Sequence, residues 1–133
     1  MTDGRLVLDA SAMVDLLIGS EPSRGVARRL QDQAVHVPAH FDAEVLSALG
    51  RLQRAALLTP EGVHERLERL SSAAFERHLV PSLLTGAWRR RANVRLLDAL
   101  YLELAEQLDV PLVSTDVRLA AASAQVEVVV ANP

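Results

Sequence analysis

The chain has 133 residues and 50% of them are apolar, so it can bury a substantial hydrophobic core within one domain. It contains no cysteine, which excludes disulfide bonds, thiolate catalysis and thiolate zinc sites. The net charge of −3 at pH 7 has the wrong sign for binding nucleic acid through overall electrostatic attraction. A nucleic-acid function would therefore need a local basic patch or bridging metal ions.

The N-terminal segment reaches Asp9 without the basic stretch and long apolar stretch of a signal peptide. No apolar run approaches the roughly 20 residues that a membrane-spanning helix requires. We therefore expect a single soluble domain over residues 1–133, located in the cytoplasm and without a membrane partner.

Short apolar runs predict strands at 5–8, 35–37, 75–80, 111–114 and 126–130, of which the third has the weakest pattern. Helical spacing of apolar residues predicts helices at 11–18, 21–34, 42–57, 81–91 and 96–108, one that begins at Pro60, and a short one at 117–122. Short strands alternating with helices are typical of an α/β fold. We expect an open parallel sheet of about four to five strands with helices on both faces.

Two acids follow predicted strands directly, Asp9 after the first and Asp116 after the strand at 111–114. In open parallel sheets, ligands bind in the crevice beyond the carboxyl ends of the strands, so these carboxylates can face one crevice. The alternative is that each caps the N-terminus of the next helix, a position that aspartate favours.

Two further acids, Glu44 and Asp98, lie near the starts of predicted helices and on the margin of an apolar stripe. A half-buried charge at such a margin is costly unless it is paired or bound to metal. The alternative is that the helix dipole favours an acid in the first turn. Four acids at one crevice would repel one another, and a hard divalent cation such as Mg²⁺, which takes oxygen ligands, is the usual solution.

Four segments carry these acids: 6–12 (LVLDASA), 38–49 (PAHFDAEVLSAL), 98–105 (DALYLELA) and 111–119 (PLVSTDVRL). In order and spacing they resemble the PIN-domain ribonucleases of the VapC type, the toxins of VapBC toxin–antitoxin pairs. The resemblance spans the whole length of the chain. It implies a PIN-like fold and an endoribonuclease dependent on Mg²⁺ or Mn²⁺, usually a homodimer, that acts on RNA and is held inactive by a cognate VapB-like antitoxin.

Carried over by position, the resemblance makes Asp9 and Asp98 the principal metal ligands, with Glu44 and Asp116 completing the catalytic site. It also implies that Ser11 and Thr115 support the ligands through hydrogen bonds.

The sequence departs from the family pattern at three positions. Ser47 stands where many relatives have asparagine, Leu97 where tyrosine is common, and Gly50 where arginine or another helix former is frequent. None of these departures removes an acid. Those at Ser47 and Leu97 concern the surroundings of the metal ligands.

The densest basic patch contains Arg89, Arg90, Arg91 and Arg95. Arginine makes bidentate contacts with phosphate, so the patch can bind RNA. Equally, cations near a helix C-terminus satisfy free carbonyl groups and the helix dipole. Arg91 and Asn93 match positions that are often polar in the family, which favours RNA binding for these two.

Other residues invite a functional interpretation less strongly. His36 and His40 are four residues apart, but Pro38 interrupts the helix that would place them on one face, so we do not expect a zinc site there. We expect Trp88 to pack in the core.

Two other functions fit an acid-rich α/β chain. A receiver-like Mg²⁺-binding signalling module would, by resemblance, need a lysine after a later strand, and this sequence has none. A catalytically inactive PIN scaffold that binds RNA or protein would not need to keep four costly acids.

Overall fold

The computed structural model describes residues 4–131, and it contains a five-stranded sheet in the order β3-β2-β1-β4-β5. Every neighbouring pair of strands is parallel. The strands are β1 (Arg5–Leu8), β2 (Ala34–Pro38), β3 (Glu76–His78), β4 (Leu112–Ser114) and β5 (Val126–Val128). The predicted α/β class and parallel sheet are confirmed.

Six α-helices connect the strands: α1 (Ala10–Ile18), α2 (Ser23–Leu30), α3 (Phe41–Arg54), α4 (Pro60–Ser71), α5 (Leu84–Arg89) and α6 (Leu96–Leu108). Two short 3₁₀ helices, Pro81–Leu83 and Val117–Ala121, complete the order. The chain moves in one direction across the sheet from β1 to β3 and then returns to β4 on the other side of β1. Because crossover connections are right-handed, this reversal places α1–α4 on one face and α5–α6 on the other. It also opens a crevice between the ends of β1 and β4.

The core is centred on β1, where Leu6, Val7 and Leu8 are fully buried because helices cover both faces of the sheet. Helix α6 buries residues around most of its circumference, including Leu100, Tyr101 and Leu104. Strand β1, which ends just before Asp9, and helix α6, which carries Asp98, are thus deeply buried elements of the core.

Several predicted helices are shorter than expected, and left-handed residues explain two of these differences. The helix predicted at 21–34 ends at Leu30, before Asp32 turns the chain with a φ of 62°. The helix predicted at 42–57 ends at Arg54, before Ala56 adopts a φ of 61°. The segment predicted as a helix at 81–91 begins with the 3₁₀ turn instead, and the segment at 117–122 is also 3₁₀.

The prediction that Trp88 packs in the core is wrong, because its side chain is 56% exposed. Helix α5 turns Gly86 and Ala87, its small residues, towards the interior. A Cβ atom at Gly86 would lie 2.1 Å from the carboxyl carbon of Glu103 on α6, so a larger residue here would have to displace the Glu103 side chain. Trp88 faces outward, and the guanidinium group of Arg91 lies 4.7 Å from the centroid of its ring.

Within residues 4–131, no helix has both the length and the apolar character needed to cross a membrane.

Candidate active site

Asp9 is held in one orientation by three hydrogen bonds at the end of β1. Its Oδ1 accepts from the backbone N–H of Ala12 and from the hydroxyl of Ser11, both at 2.9 Å. Its Oδ2 accepts from the hydroxyl of Ser114 at 2.5 Å. The residue therefore caps α1 as the helix-cap alternative expected, and the same contacts fix its carboxylate at the crevice.

Burial raises the pKa of Asp9 to about 6, because removal from water disfavours the charged form. The hydrogen bonds from Ser114, Ala12 and Ser11 act in the opposite direction, and the negative charge of Asp98 adds to the rise. Asp9 is only 5% exposed. It is the carboxylate whose charge this fold opposes most clearly.

Glu44 lies in the first turn of α3 and is positioned from two sides. The hydroxyl of Tyr101 donates to its Oε1 at 2.7 Å, and Nε2 of His40 lies 3.2 Å from the same oxygen. Burial alone would raise the pKa of Glu44, but the hydrogen bonds from His40 and Tyr101, with the nearby charges of His40 and Arg95, outweigh it. The pKa of Glu44 therefore lies below its ordinary value, and the residue is ionised at neutral pH.

Asp98 and Asp116 are each paired with an arginine. Nε of Arg95 lies 3.1 Å from Oδ2 of Asp98, within the first turn of α6. Oδ1 of Asp116 accepts from the backbone N–H of Arg118 at 3.0 Å and from its Nε at 3.1 Å. The hydrogen bond from the Arg118 side chain is the main cause of a lowered pKa for Asp116. Both carboxylates therefore lie beside exposed cations, Arg95 and Arg118.

All four predicted acids line one cleft of about 390 Å³ beyond the carboxyl ends of β1 and β4. Arg51, Arg95 and Arg118 line its walls. Among residues 4–131, no three of these acids bring ligand oxygens within 4.8 Å of one another, and Asp98 and Asp116 bind arginines instead. The structure thus brings the acids to one cleft without assembling them around a single point.

The two predicted supporting residues also lie at this cleft or directly behind it. Ser11 donates to Asp9, and Thr115 donates to Oδ2 of Asp15 at 2.6 Å, with its hydroxyl oxygen 3.3 Å from that of Ser11. Asp15 lines the cleft and was not predicted, although its position one helical turn after Ser11 is a signal that could have found it.

Two other residues of the site were missed. Tyr101 lies one turn after Asp98 on α6, a spacing that places both on one side of the helix. Ser114 is fully buried and joins the two strand-end acids, since its hydroxyl also accepts from the backbone N–H of Asp116 at 3.0 Å. Its sequence position, two residues before an acid, carries no specific signal.

The residues predicted to bind RNA divide into two groups. Asn93 and Arg95 line a smaller cleft of about 200 Å³ that shares Asp98 and Asp116 with the first. Arg90 instead lies against α6, where it contacts Glu106 and lies 3.3 Å from Oε1 of Glu103.

Arg91 covers the Trp88 ring and donates to the Trp88 carbonyl at 3.0 Å, as expected for a cation at a helix C-terminus. The structure therefore brings Asn93 and Arg95, but not Arg90 and Arg91, to the acids.

A family model of the PIN domain matches residues 6–125, in agreement with this sheet order and acid-lined cleft. The chain is 56% identical over 119 residues to ribonuclease VapC3 of Mycobacterium tuberculosis, an alignment that covers 89% of this chain and 87% of the relative. It is 39% identical over 116 residues to ribonuclease VapC12 of the same organism, covering 86% and 89%. The chain therefore belongs to the VapC family of PIN-domain ribonucleases.

Solved structures share the fold at lower sequence identity. A crystal structure of a protein from Pyrobaculum aerophilum has a TM-score of 0.69 at 21% identity and covers 92% of this chain and 81% of that one. A toxin–antitoxin complex from Klebsiella pneumoniae has a TM-score of 0.67 at 15% identity and covers 92% of this chain and 95% of that one. At these sequence identities, the similarity shows a shared fold and nothing more.

Proposed function

We propose that this chain is the toxin of a type II toxin–antitoxin pair and hydrolyses RNA phosphodiester bonds as an endoribonuclease dependent on Mg²⁺ or Mn²⁺. The observation that carries the proposal is the convergence of Asp9, Glu44, Asp98 and Asp116 on one cleft. Membership in the VapC family supports it, since the relatives are named ribonucleases.

The donor groups of the cleft fit a hard divalent cation. They are carboxylate oxygens with hydroxyl groups behind them, and the described residues that line the cleft include neither a cysteine nor a histidine. Asp9 and Asp98 would be the principal ligands, with Glu44 and Asp116 binding directly or through water. When bound, such an ion activates a water molecule and stabilises the charge that develops on the phosphate oxygens.

The residues around the four acids position the carboxylates or provide positive charge for RNA phosphate. Ser114 and the N-terminus of α1 hold the Asp9 carboxylate at the cleft floor, and Tyr101 and His40 hold that of Glu44 at its side. Arg95 and Arg118 are 76% and 88% exposed, so little packing opposes their movement from carboxylate to RNA phosphate. This local cationic wall offsets a net charge of −3 that would otherwise repel RNA.

The proposal includes an antitoxin and a second copy of the chain as partners, in the cytoplasm where RNA and antitoxin are made. One solved neighbour is itself a toxin–antitoxin complex. An antitoxin arginine placed in the cleft would bind the same carboxylates that Arg95 and Arg118 bind, and would exclude both metal and phosphate. Exposed apolar side chains such as Leu57, Leu79 and Leu84 give the surface apolar area suited to association.

The test is cleavage of a structured RNA by purified chain, with Mn²⁺ and with chelator, using Asp98→Asn and the matched control Asp109→Asn. Asp109 ends α6 in a left-handed conformation that asparagine tolerates, so the control makes the same chemical change at the opposite end of the helix. We expect Asp98→Asn to lower the metal-dependent rate at least 100-fold and the control to leave it unchanged. Cleavage by Asp98→Asn at the parental rate would overturn the proposal.

A further inference from the structure

Strands β2 and β3 place two histidines and a glutamate side by side, away from the acid cleft. His36 is the register partner of Glu76, and His78 lies two residues further along β3. Because side chains alternate along a strand, all three project from the same face of the sheet. Nδ1 of His36 lies 2.8 Å from Nε2 of His78 and 3.4 Å from Oε2 of Glu76.

One ligand atom from each of these residues lies within 4.8 Å of the other two. Among the described residues, 4–131, this is the only group of histidine and acidic side chains that meets this distance. None of the three lines the acid cleft, so the group is separate from the proposed catalytic site.

We propose that His36, Glu76 and His78 form a binding site for a first-row transition-metal ion, with Zn²⁺ as the principal candidate. Two imidazole nitrogens and one carboxylate oxygen are a donor set that binds Zn²⁺ with a fourth position open to water. The set is a poor match for Mg²⁺, which prefers oxygen ligands in an octahedral arrangement. The chain therefore has two sites that select different classes of metal ion.

The geometry needs little adjustment to accept the ion. With Zn–N distances near 2.0–2.1 Å, two nitrogens of a tetrahedral centre lie roughly 3.3 Å apart, about half an ångström more than the present separation. The proton that the two nitrogens share in their hydrogen bond must leave, either to solvent or to the other nitrogen of its ring.

The side chains that must move to accept the ion are the more exposed ones of the cluster. The Glu76 side chain is 67% exposed and His78 is half-buried on the edge strand, whereas the His36 side chain is 8% exposed. His36 therefore provides a fixed ligand to which the other two adjust. An ion held in this way would join the three-residue edge strand β3 to β2, and would stabilise the folded chain because the unfolded chain lacks the site.

The test uses the complete chain without an affinity tag and Co²⁺ as a spectroscopic probe. Tetrahedral Co²⁺ with imidazole ligands absorbs visible light far more strongly than octahedral Co²⁺ with oxygen ligands. We expect a visible band that saturates at one Co²⁺ per chain and disappears when Zn²⁺ is added. At Zn²⁺ concentrations about 100-fold above Kd, the melting temperature should rise by about 5 °C or more.

Two variants and two controls complete the design. His78→Gln and Glu76→Gln alter exposed or half-buried ligands, and both should weaken Co²⁺ binding at least tenfold while melting like the parent in chelator. His64→Gln removes a histidine that pairs with Glu68 on the surface of α4, and Asp98→Asn alters the acid cleft. Both controls should retain the band.

The proposal is overturned if His78→Gln binds Co²⁺ like the parent, or if Asp98→Asn loses the band. The second result would locate the ion in the acid cleft. Neither result bears on RNA cleavage, which is measured separately with Mn²⁺.

Discussion

The hydroxyl of Tyr101 donates a 2.7 Å hydrogen bond to Oε1 of Glu44, so helix α6 positions an acid that helix α3 carries. The two residues are 57 positions apart in the sequence. A neutral donor bonded to a carboxylate favours the charged form of the acid, and here it helps to overcome the effect of burial. The hydrogen bond therefore links the two helices and also favours the ionised form of Glu44.

Replacing Tyr101 with phenylalanine should lower stability by about 1–3 kcal/mol at pH 7, because a buried hydrogen bond to a charged group is lost. The pKa of Glu44 is lowered in the folded chain, so its stabilising contribution is present above the unfolded pKa and is lost as pH falls through the folded value. The cost of the substitution should shrink below about pH 4. Urea unfolding at several pH values measures it.

A double-mutant cycle provides the control for this prediction. In a Glu44→Gln background the same tyrosine substitution should cost clearly less, because the charged acceptor is gone. Equal costs in both backgrounds would mean that Tyr101 stabilises the chain through packing alone.

Substitution of Asp9 by asparagine should stabilise the metal-free chain at pH 7.5. The pKa of Asp9 is raised to about 6, so its contribution to stability is present below the unfolded value and is lost as pH rises to the folded one. A rise of about two units corresponds to roughly 3 kcal/mol, and loss of charge-assisted hydrogen bonds at the helix cap should reduce the net gain to about 1 kcal/mol.

The gain of Asp9→Asn should shrink towards pH 4 and disappear below about pH 3, where the parental side chain is protonated in both the folded and the unfolded state. Thermal melts in chelator across this range measure the difference. A variant that melts below the parent at pH 7.5 would show that capping of α1 outweighs the cost of the buried charge.

Ser114→Ala should raise the pH below which the chain loses its activity. The hydrogen bond from the Ser114 hydroxyl lowers the pKa of Asp9 and partly offsets the rise caused by burial. Without this hydrogen bond, Asp9 should hold its proton to higher pH. A rise of about one unit in the pKa of Asp9 would lower the relative rate at pH 6 roughly fivefold, while the rate at pH 8 changes much less. Ser71→Ala, which removes a hydroxyl bonded only to a helix carbonyl, is the control. Parallel pH profiles for Ser114→Ala and parent would contradict the assignment.

Arg95→Ala should weaken RNA binding without changing the fold. The Arg95 side chain is 76% exposed, so we expect stability to stay within about 0.5 kcal/mol of the parent. Loss of one phosphate contact should flatten the dependence of log K on log salt by about 0.7 for single-stranded RNA. Fluorescence anisotropy in chelator measures binding without cleavage. As a control, Arg69→Ala replaces an exposed arginine on α4 and should leave the slope unchanged. An unchanged slope for Arg95→Ala would mean that Arg95 only balances the charge of Asp98 and does not contact RNA.

The sequence is informative about this site where chemistry follows local position. Asp9 and Asp116 were found because each follows a short apolar strand, and strand ends of a parallel sheet meet at one edge. Glu44 and Asp98 were found from their place on the margin of a helical stripe. These inferences need only the period of the element on which the residue lies.

Contacts between distant elements were not predictable in this way. The approach of His36 to His78 depends on the register of β2 against β3, which no local pattern specifies. The outward position of Trp88 depends on which side of α5 faces the interior, where Gly86 and Ala87 are buried. In the sequence, His40 is the histidine nearest to His36, whereas the fold directs His40 to Glu44 and places His78 beside His36.

The position of Asp9 at the end of the central strand has a consequence for hydrogen exchange. Its backbone N–H donates to the carbonyl of Val113 at 3.2 Å, between two fully buried strands, so its exchange should require unfolding of the whole chain. The N–H of Arg118 donates to the side chain of Asp116, which is 29% exposed, and lies in a 3₁₀ turn, so it should exchange through local opening. At the cleft, the backbone of Asp9 should therefore exchange only when the whole chain unfolds, whereas the 3₁₀ turn that carries Arg118 should open locally while the rest of the chain stays folded.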